Sequence, residues 1–237
     1  MSTRTEAENE RELFVAGDLN FIPVMELRPL CDGVVQWLTA IAMFKVFRTK
    51  SPAFFATETR RLVRIEGEQV PKRIMKYFDS LRPKLERMDY FLNYYATVPA
   101  IGPIVLALMT MSTRGNGKSH FFVLRAVVKA EGKLNDDGHM GFVSSLANDG
   151  SLLTISKTTL PNPRVGVNRK MVPTDDPQKL YSAHRKRIRD APVVEVAAEN
   201  LIEVARHQNL LECEDFIKRR VIRPATSGEI AKIRASR

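Results

Sequence analysis

The apolar positions change their spacing several times along the chain, and each change predicts a different element. Residues 1–18 carry no periodic apolar face and read as a polar, loosely ordered lead-in. Gly33–Phe44 (GVVQWLTAIAMF) is twelve residues without a charge, followed by Lys45, Arg48 and Lys50. That is too short for a bilayer, which needs ~20 residues. It predicts first a buried helix, and second a helix lying in a membrane interface with Trp37 and Phe44 facing down. Between 71 and 88, Ile74, Phe78, Leu81, Leu85 and Met88 recur at intervals of four and three, the stripe of a one-sided helix. Pro71 starts it, and Pro83 is expected to kink or divide it.

From Tyr90 to Thr113 the chain is again uncharged, and long enough to cross a membrane. Its β-branched and aromatic content, broken by Pro99, Gly102 and Pro103, instead predicts two strands, Phe91–Val98 and Ile104–Ser112. GNGK supplies a hairpin turn before the strand Ser119–Glu131. Asn135-Asp136-Asp137-Gly138 and Asn148-Asp149-Gly150 then read as two further turns around HMGFVSSLA and SLLTISKTT. Short turns between successive strands predict an antiparallel meander, one face covered by helix 71–88. Residues 158–173 read as a Pro-rich loop. Asp176 then caps a helix with Pro177 at its first position, an inner face of Leu180, Tyr181, His184 and Ile188, and Lys179, Lys186 and Arg189 outside. A further helix is expected after Pro192, through Val194, Ala197, Ala198, Leu201, Val204 and Ala205. A short one capped by Thr226 or Ser227 closes the chain. The fold class is α+β: an antiparallel sheet of four to five strands, about 91–156, packed by flanking helices, with a helical C-terminal part. The expected organisation is a lead-in (1–20), an apolar helix and connector (21–70), the α+β domain (71–190) and a helical extension (191–237).

Composition narrows the class. With 237 residues, 44% apolar and 27% charged, the chain can bury a full core, which excludes a disordered polyelectrolyte or a fibrous repeat. Cys31 and Cys213 are too few for a disulfide framework or a four-ligand zinc site, and the polar, acidic amino end lacks the pattern of a secretory signal. The expected location is the cytoplasm, with peripheral contact to the membrane.

Charge changes the picture more. The formal charge is +10, and two segments carry all of the excess: 45–87 holds 12 basic against 5 acidic residues, and 156–189 holds 9 against 2. The candidate anion-surface residues are Arg60, Arg61, Arg64, Lys72 and Arg73 in the first segment. In the second they are Arg164, Arg169, Lys170, Lys179, Arg185, Lys186, Arg187 and Arg189.

Motifs for chemistry are sparse. Gly117-Lys118-Ser119 ends like a phosphate-cradling loop, but Ser112 stands where that loop needs its first glycine and a strand pattern follows. His120, His139, His184 and His207 are scattered singly, so no metal site and no cofactor are implied. Glu212, Glu214 and Asp215 beside Lys218, Arg219 and Arg220 read as ion pairs one turn apart on a helix.

In the order of its features, Lys76–Arg187 resembles an uncharacterised family of bacterial α+β proteins: a helix with spaced leucines, several strands, the Asp-Gly turn and threonine strand of SSLANDGSLLTIS, a Pro-rich loop, and a helix bearing Leu180 and then His184. The resemblance implies an α+β fold and no activity. Some members carry an apolar amino-terminal anchor in the place of Gly33–Phe44, from which this sequence departs at Gln36 and Lys45. The functional expectation is a non-enzymatic binding or scaffold module with a basic face, meeting an anionic membrane surface or a protein partner. The alternatives are nucleic-acid binding, and an enzyme whose site lies between the sheet and loop 158–173, lined by Ser156, Asp175 and His184.

Overall fold

A computed structural model describes residues 14–16, 22–27, 31, 33–47, 57–58, 62–97, 104–113, 117–128, 134–148, 150–156 and 164–235. Its centre is a sheet of eight strands. Seven lie side by side in chain order: β3 (Val63–Ile65), β4 (Phe91–Thr97), β5 (Ile104–Ser112), β6 (His120–Val128), β7 (Leu134–Leu146), β8 (Ser151–Ile155) and β9 (Val167–Met171). The eighth, β10 (Val193–Val194), pairs with the end of β7, in line with the start of β6. All pairings are antiparallel except β8–β9, which is parallel. Within the uncharged stretch 90–113 the described residues form the two strands Phe91–Thr97 and Ile104–Ser112, with bounds within a residue of those expected. No helix among the described residues is long and apolar enough to cross a membrane.

The sheet is wider than the four to five strands expected over 91–156, and four assignments change. Residues 135–138 lie within β7 rather than forming a turn, because the β6–β7 register slips between Leu124 and Ala126. A Cβ at Gly138 would come within 2.7 Å of the Leu124 carbonyl oxygen, so only glycine fits beside this bulge. The loop 158–173 contains the strand β9, and the helix expected after Pro192 starts with the strand β10. The lead-in contains β1 (Phe14–Ala16), which sits between β2 (Thr57–Glu58) and β11 (Arg223–Pro224) in a small antiparallel sheet. The GNGK turn and the Pro/Gly corner lie largely outside the described residues.

The helices are α1 (Val24–Leu27), α2 (Val34–Ile41, continuing as a π-helical turn over Ala42–Val46), α3 (Lys72–Glu86), α4 (Pro177–Ile188), α5 (Leu201–Lys218) and α6 (Ser227–Ala235). Helix α3 buries Ile74, Phe78, Leu81 and Leu85 and runs through Pro83, which lies on its exposed side. Asp89, with φ +62°, turns the chain out of the helix, and the Tyr90 amide donates back to the Leu85 carbonyl at 3.0 Å. Asp176 caps α4 as expected, its Oδ1 accepting from the Gln178 amide at 3.0 Å. At α6, the Thr226 amide donates to Glu229 Oε2 (2.7 Å) and the Glu229 amide to Thr226 Oγ1 (3.4 Å), a reciprocal cap.

Alternation along each strand gives the sheet two unlike faces. One face, covered by α3 and α4, holds the main core: Phe78, Tyr90, Met109, Met111, Phe121, Phe142 and Leu180. Its rings interlock, Tyr90 and Phe121 meeting Phe142 edge-on with centroids 5.4 and 5.2 Å away. The other face, under α5, buries a smaller cluster of Leu62, Tyr94, Ala96, Leu201 and Ile202.

Candidate functional site

Edge strand β9 and helix α4 bring four of the basic residues singled out by sequence into one open groove. Lys170, Lys179, Lys186 and Arg187 line it together with Asp176, Gln178 and Ser182. Lys170, Lys179 and Lys186 are exposed. Arg187 is not available to a ligand in the same way. Its Nη1 donates to the Leu153 carbonyl (2.6 Å) and Thr154 Oγ1 (3.0 Å), and its Nη2 to the Asn168 carbonyl (2.6 Å) and Oδ1 (2.8 Å), so it clamps β8 to β9. Arg185 and Arg189 are exposed on α4, and Lys72 and Arg73 on the first turn of α3.

The remaining candidates disperse. Arg64 belongs to β3, the edge strand at the other end of the order from β9. There it stacks over the Tyr94 ring at 4.8 Å and donates to the Glu199 carbonyl at 3.0 Å. Arg169 points through β9 to the other face and pairs with Glu212 at 2.8 Å, with only 6% of its side chain exposed. Arg164 lies three residues before β9 and donates its amide to Asp215 Oδ2 at 3.1 Å. Arg60 and Arg61 lie outside the described residues. Of the acidic–basic run on α5, Asp215 pairs with Arg219 one turn on, at 2.9 Å, whereas Glu212 takes Arg169 from the sheet.

Near the same edge lies an apolar surface. No described residue of α2 or its π-helical turn is buried, against the first expectation of a buried helix. Val34, Val35, Leu38, Met43, Val46 and Phe47 are 43–80% exposed. Trp37 Nε1 donates to the Val24 carbonyl at 3.0 Å, tying α2 to α1. Met25 of α1 and Val165 beside β9, 75% and 58% exposed, line one groove with Arg164 and Lys218. Helix α2 is thus linked through α1 to the end of β9.

The histidines are placed by packing. His184 is fully buried against Phe142, its Nε2 2.9 Å from Ser144 Oγ and its Nδ1 3.0 Å from Thr154 Oγ1. Ser144 commits its proton to the Lys118 carbonyl, so His184 carries its hydrogen on Nε2 and accepts from Thr154 at Nδ1. Arg187 in turn donates to Thr154, giving an ordered chain from Arg187 through Thr154, His184 and Ser144 to a backbone carbonyl. Burial, and to a lesser degree the Arg187 charge, depresses the His184 pKa to about 4. Ser156 Oγ accepts from the Met140 amide at 3.1 Å, while Asp175 is exposed. No group of three metal-ligating side chains occurs among the described residues. Sequence reasoning missed the polar set on the second face, the buried His120 with the partly buried His139, Arg169 and Glu212. Its available signal was parity: His120 shares a strand face with Phe122 and Leu124.

No family model, curated protein or solved structure matches the chain, so its resemblance over 76–187 rests on the quoted motifs alone.

Proposed function

We propose that this protein is a non-enzymatic binding module that seats on an anionic lipid surface through α2 and the basic β9–α4 groove. The observation that carries the reading is the unburied apolar helix. Helix α2 and its π-helical turn hold Lys45 as their single charged residue, and a helix this rich in exposed apolar side chains calls for cover on that surface. Six partly exposed side chains, at ~1.5–3 kcal/mol each for full burial, amount to on the order of 5 kcal/mol available on insertion into a lipid interface. Lys170, Lys179 and Lys186 in the groove add ~1 kcal/mol each near anionic headgroups. That charge favours lipid over a second copy of the chain, which would bring like charges together.

Flotation with neutral phosphatidylcholine vesicles and with vesicles containing a quarter phosphatidylglycerol tests this. The protein is expected to float with the anionic vesicles only. Val35→Glu/Leu38→Glu abolishes flotation. Lys179→Glu/Lys186→Glu weakens it and flattens its salt dependence; Arg187 is left intact because it holds the sheet together. Equal flotation of both variants, or concentration-dependent dimerisation through α2 in place of lipid binding, overturns the reading.

A further inference from the structure

We propose that the partly open cavity between α5 and the second face of the sheet is a binding site for a small, uncharged, largely apolar molecule carrying one hydroxyl or carbonyl group. The cavity measures about 340 Å³, at the compact end of ligand pockets. Strands β5 to β9 supply an apolar floor that includes Leu108, Phe122, Leu124, Leu153 and Ile155. Helix α5 covers it with side chains that do not fill it: Ala205, Gln208, Asn209 and Glu212. A well-packed seam would carry large apolar residues at those positions, as the main core does.

The polar groups define the ligand's chemistry. His120 is 2% exposed, and neither ring nitrogen makes a hydrogen bond of ordinary geometry. Burial pushes its pKa down to about 4, against a weaker upward pull from the Gly117 carbonyl, so it stays neutral near pH 7. A neutral imidazole offers one donor and one acceptor, the complement of a hydroxyl or carbonyl group. A buried polar group left without a partner costs ~1–3 kcal/mol, which a ligand recovers by bonding to it. His139, edge-on to Phe122, is likewise held neutral by burial and then by the charges of Arg169 and Arg125. Arg169 and Glu212 cancel each other at 2.8 Å. The lining therefore holds no uncompensated charge, and a charged ligand would lose its hydration without finding a counter-ion.

Equilibrium dialysis with naphthalene and 2-naphthol tests the assignment. Both are expected to bind saturably at one site, 2-naphthol about fivefold more tightly, as one added hydrogen bond implies. His120→Leu removes that preference. Ala205→Trp, which fills the cavity from α5, and Leu108→Trp, which fills it from β5, each weaken both probes about tenfold or more. Leu38→Glu, on the exposed helix, leaves both affinities unchanged. Absence of saturable binding to the unaltered protein overturns the proposal, as does wild-type affinity in both tryptophan variants. So does a naphthol preference that survives His120→Leu, or loss of binding in Leu38→Glu, which would move the probes to α2.

Discussion

The two faces of the central sheet are built from the same strands by alternate residues, yet they are finished differently. Under α3 and α4, Met109, Met111, Phe121, Met140 and Phe142 are wholly buried and their rings interlock. Under α5, the intervening residues include His120, His139 and Arg169, and the covering helix turns Ala205, Gln208 and Glu212 toward them. A face that only stabilises is filled to density with apolar groups. Where polar groups and unfilled space share a face, some stability has been given up for another purpose.

That contrast can be broken by substitution. Phe142→Ala, at the crossing of four ring contacts, is expected to destabilise by ~4 kcal/mol in urea unfolding at pH 7. A loss below ~1 kcal/mol would show that the first face is no better packed than the second. Arg169→Met leaves Glu212 buried without its partner and should cost ~3 kcal/mol, whereas Arg169→Met/Glu212→Leu should be close to neutral. Equal losses in both would assign the effect to shape rather than charge.

Acid sharpens the comparison. His120 and His139 on one face and His184 on the other are each depressed from 6.5 to about 4. The unfolded chain takes up these protons near pH 6.5 and the folded chain only near 4. Stability is therefore full above about 6.5 and falls as pH drops toward 4, by ~1.4 kcal/mol per pH unit for each histidine. His184→Gln should remove about a third of that slope in unfolding curves between pH 6 and 4.5; an unchanged slope would place the titration wholly on the α5 face. The smallest effect expected is that of Ala205→Leu. Added methyl groups enter existing space, so a change within ~1 kcal/mol is expected, against the loss of 1–3 kcal/mol that overpacking causes in a filled core.

The part of the fold that was legible in the sequence is the part made by local chemistry. Strands β4, β5, β6, β8 and the second half of β7 follow from alternation and apolar runs, and α3 and α4 from their stripes and caps; of the two Asn-Asp-Gly strings only 148–150 falls between strands, while 135–138 lies within β7. Misread elements owe their state to distant partners. The strand β9 reads VNRKM, too charged to look like a strand, and only its parallel pairing with β8 and the burial of Val167 and Arg169 make it one. The short β10 is extended because the end of β7 leaves an edge beyond His120. Of the basic candidates, Lys170, Lys179, Lys186 and Arg187 converge, since β9 and α4 pack together. Arg169 and Arg187 had structural roles that no count of charge reveals. The cavity was illegible because its polar lining comes from β6, β7, β9 and α5, far apart in the chain.

The rim formed by β9 has a consequence for handling this protein at high concentration. A terminal strand with open amide and carbonyl groups invites a neighbouring molecule to add a strand of its own, the first step toward fibrils. Here the exposed Lys170 places a positive charge on that strand, which repels a like-charged copy of the same edge. The border that lines the basic groove is thereby also a guard against self-templated aggregation.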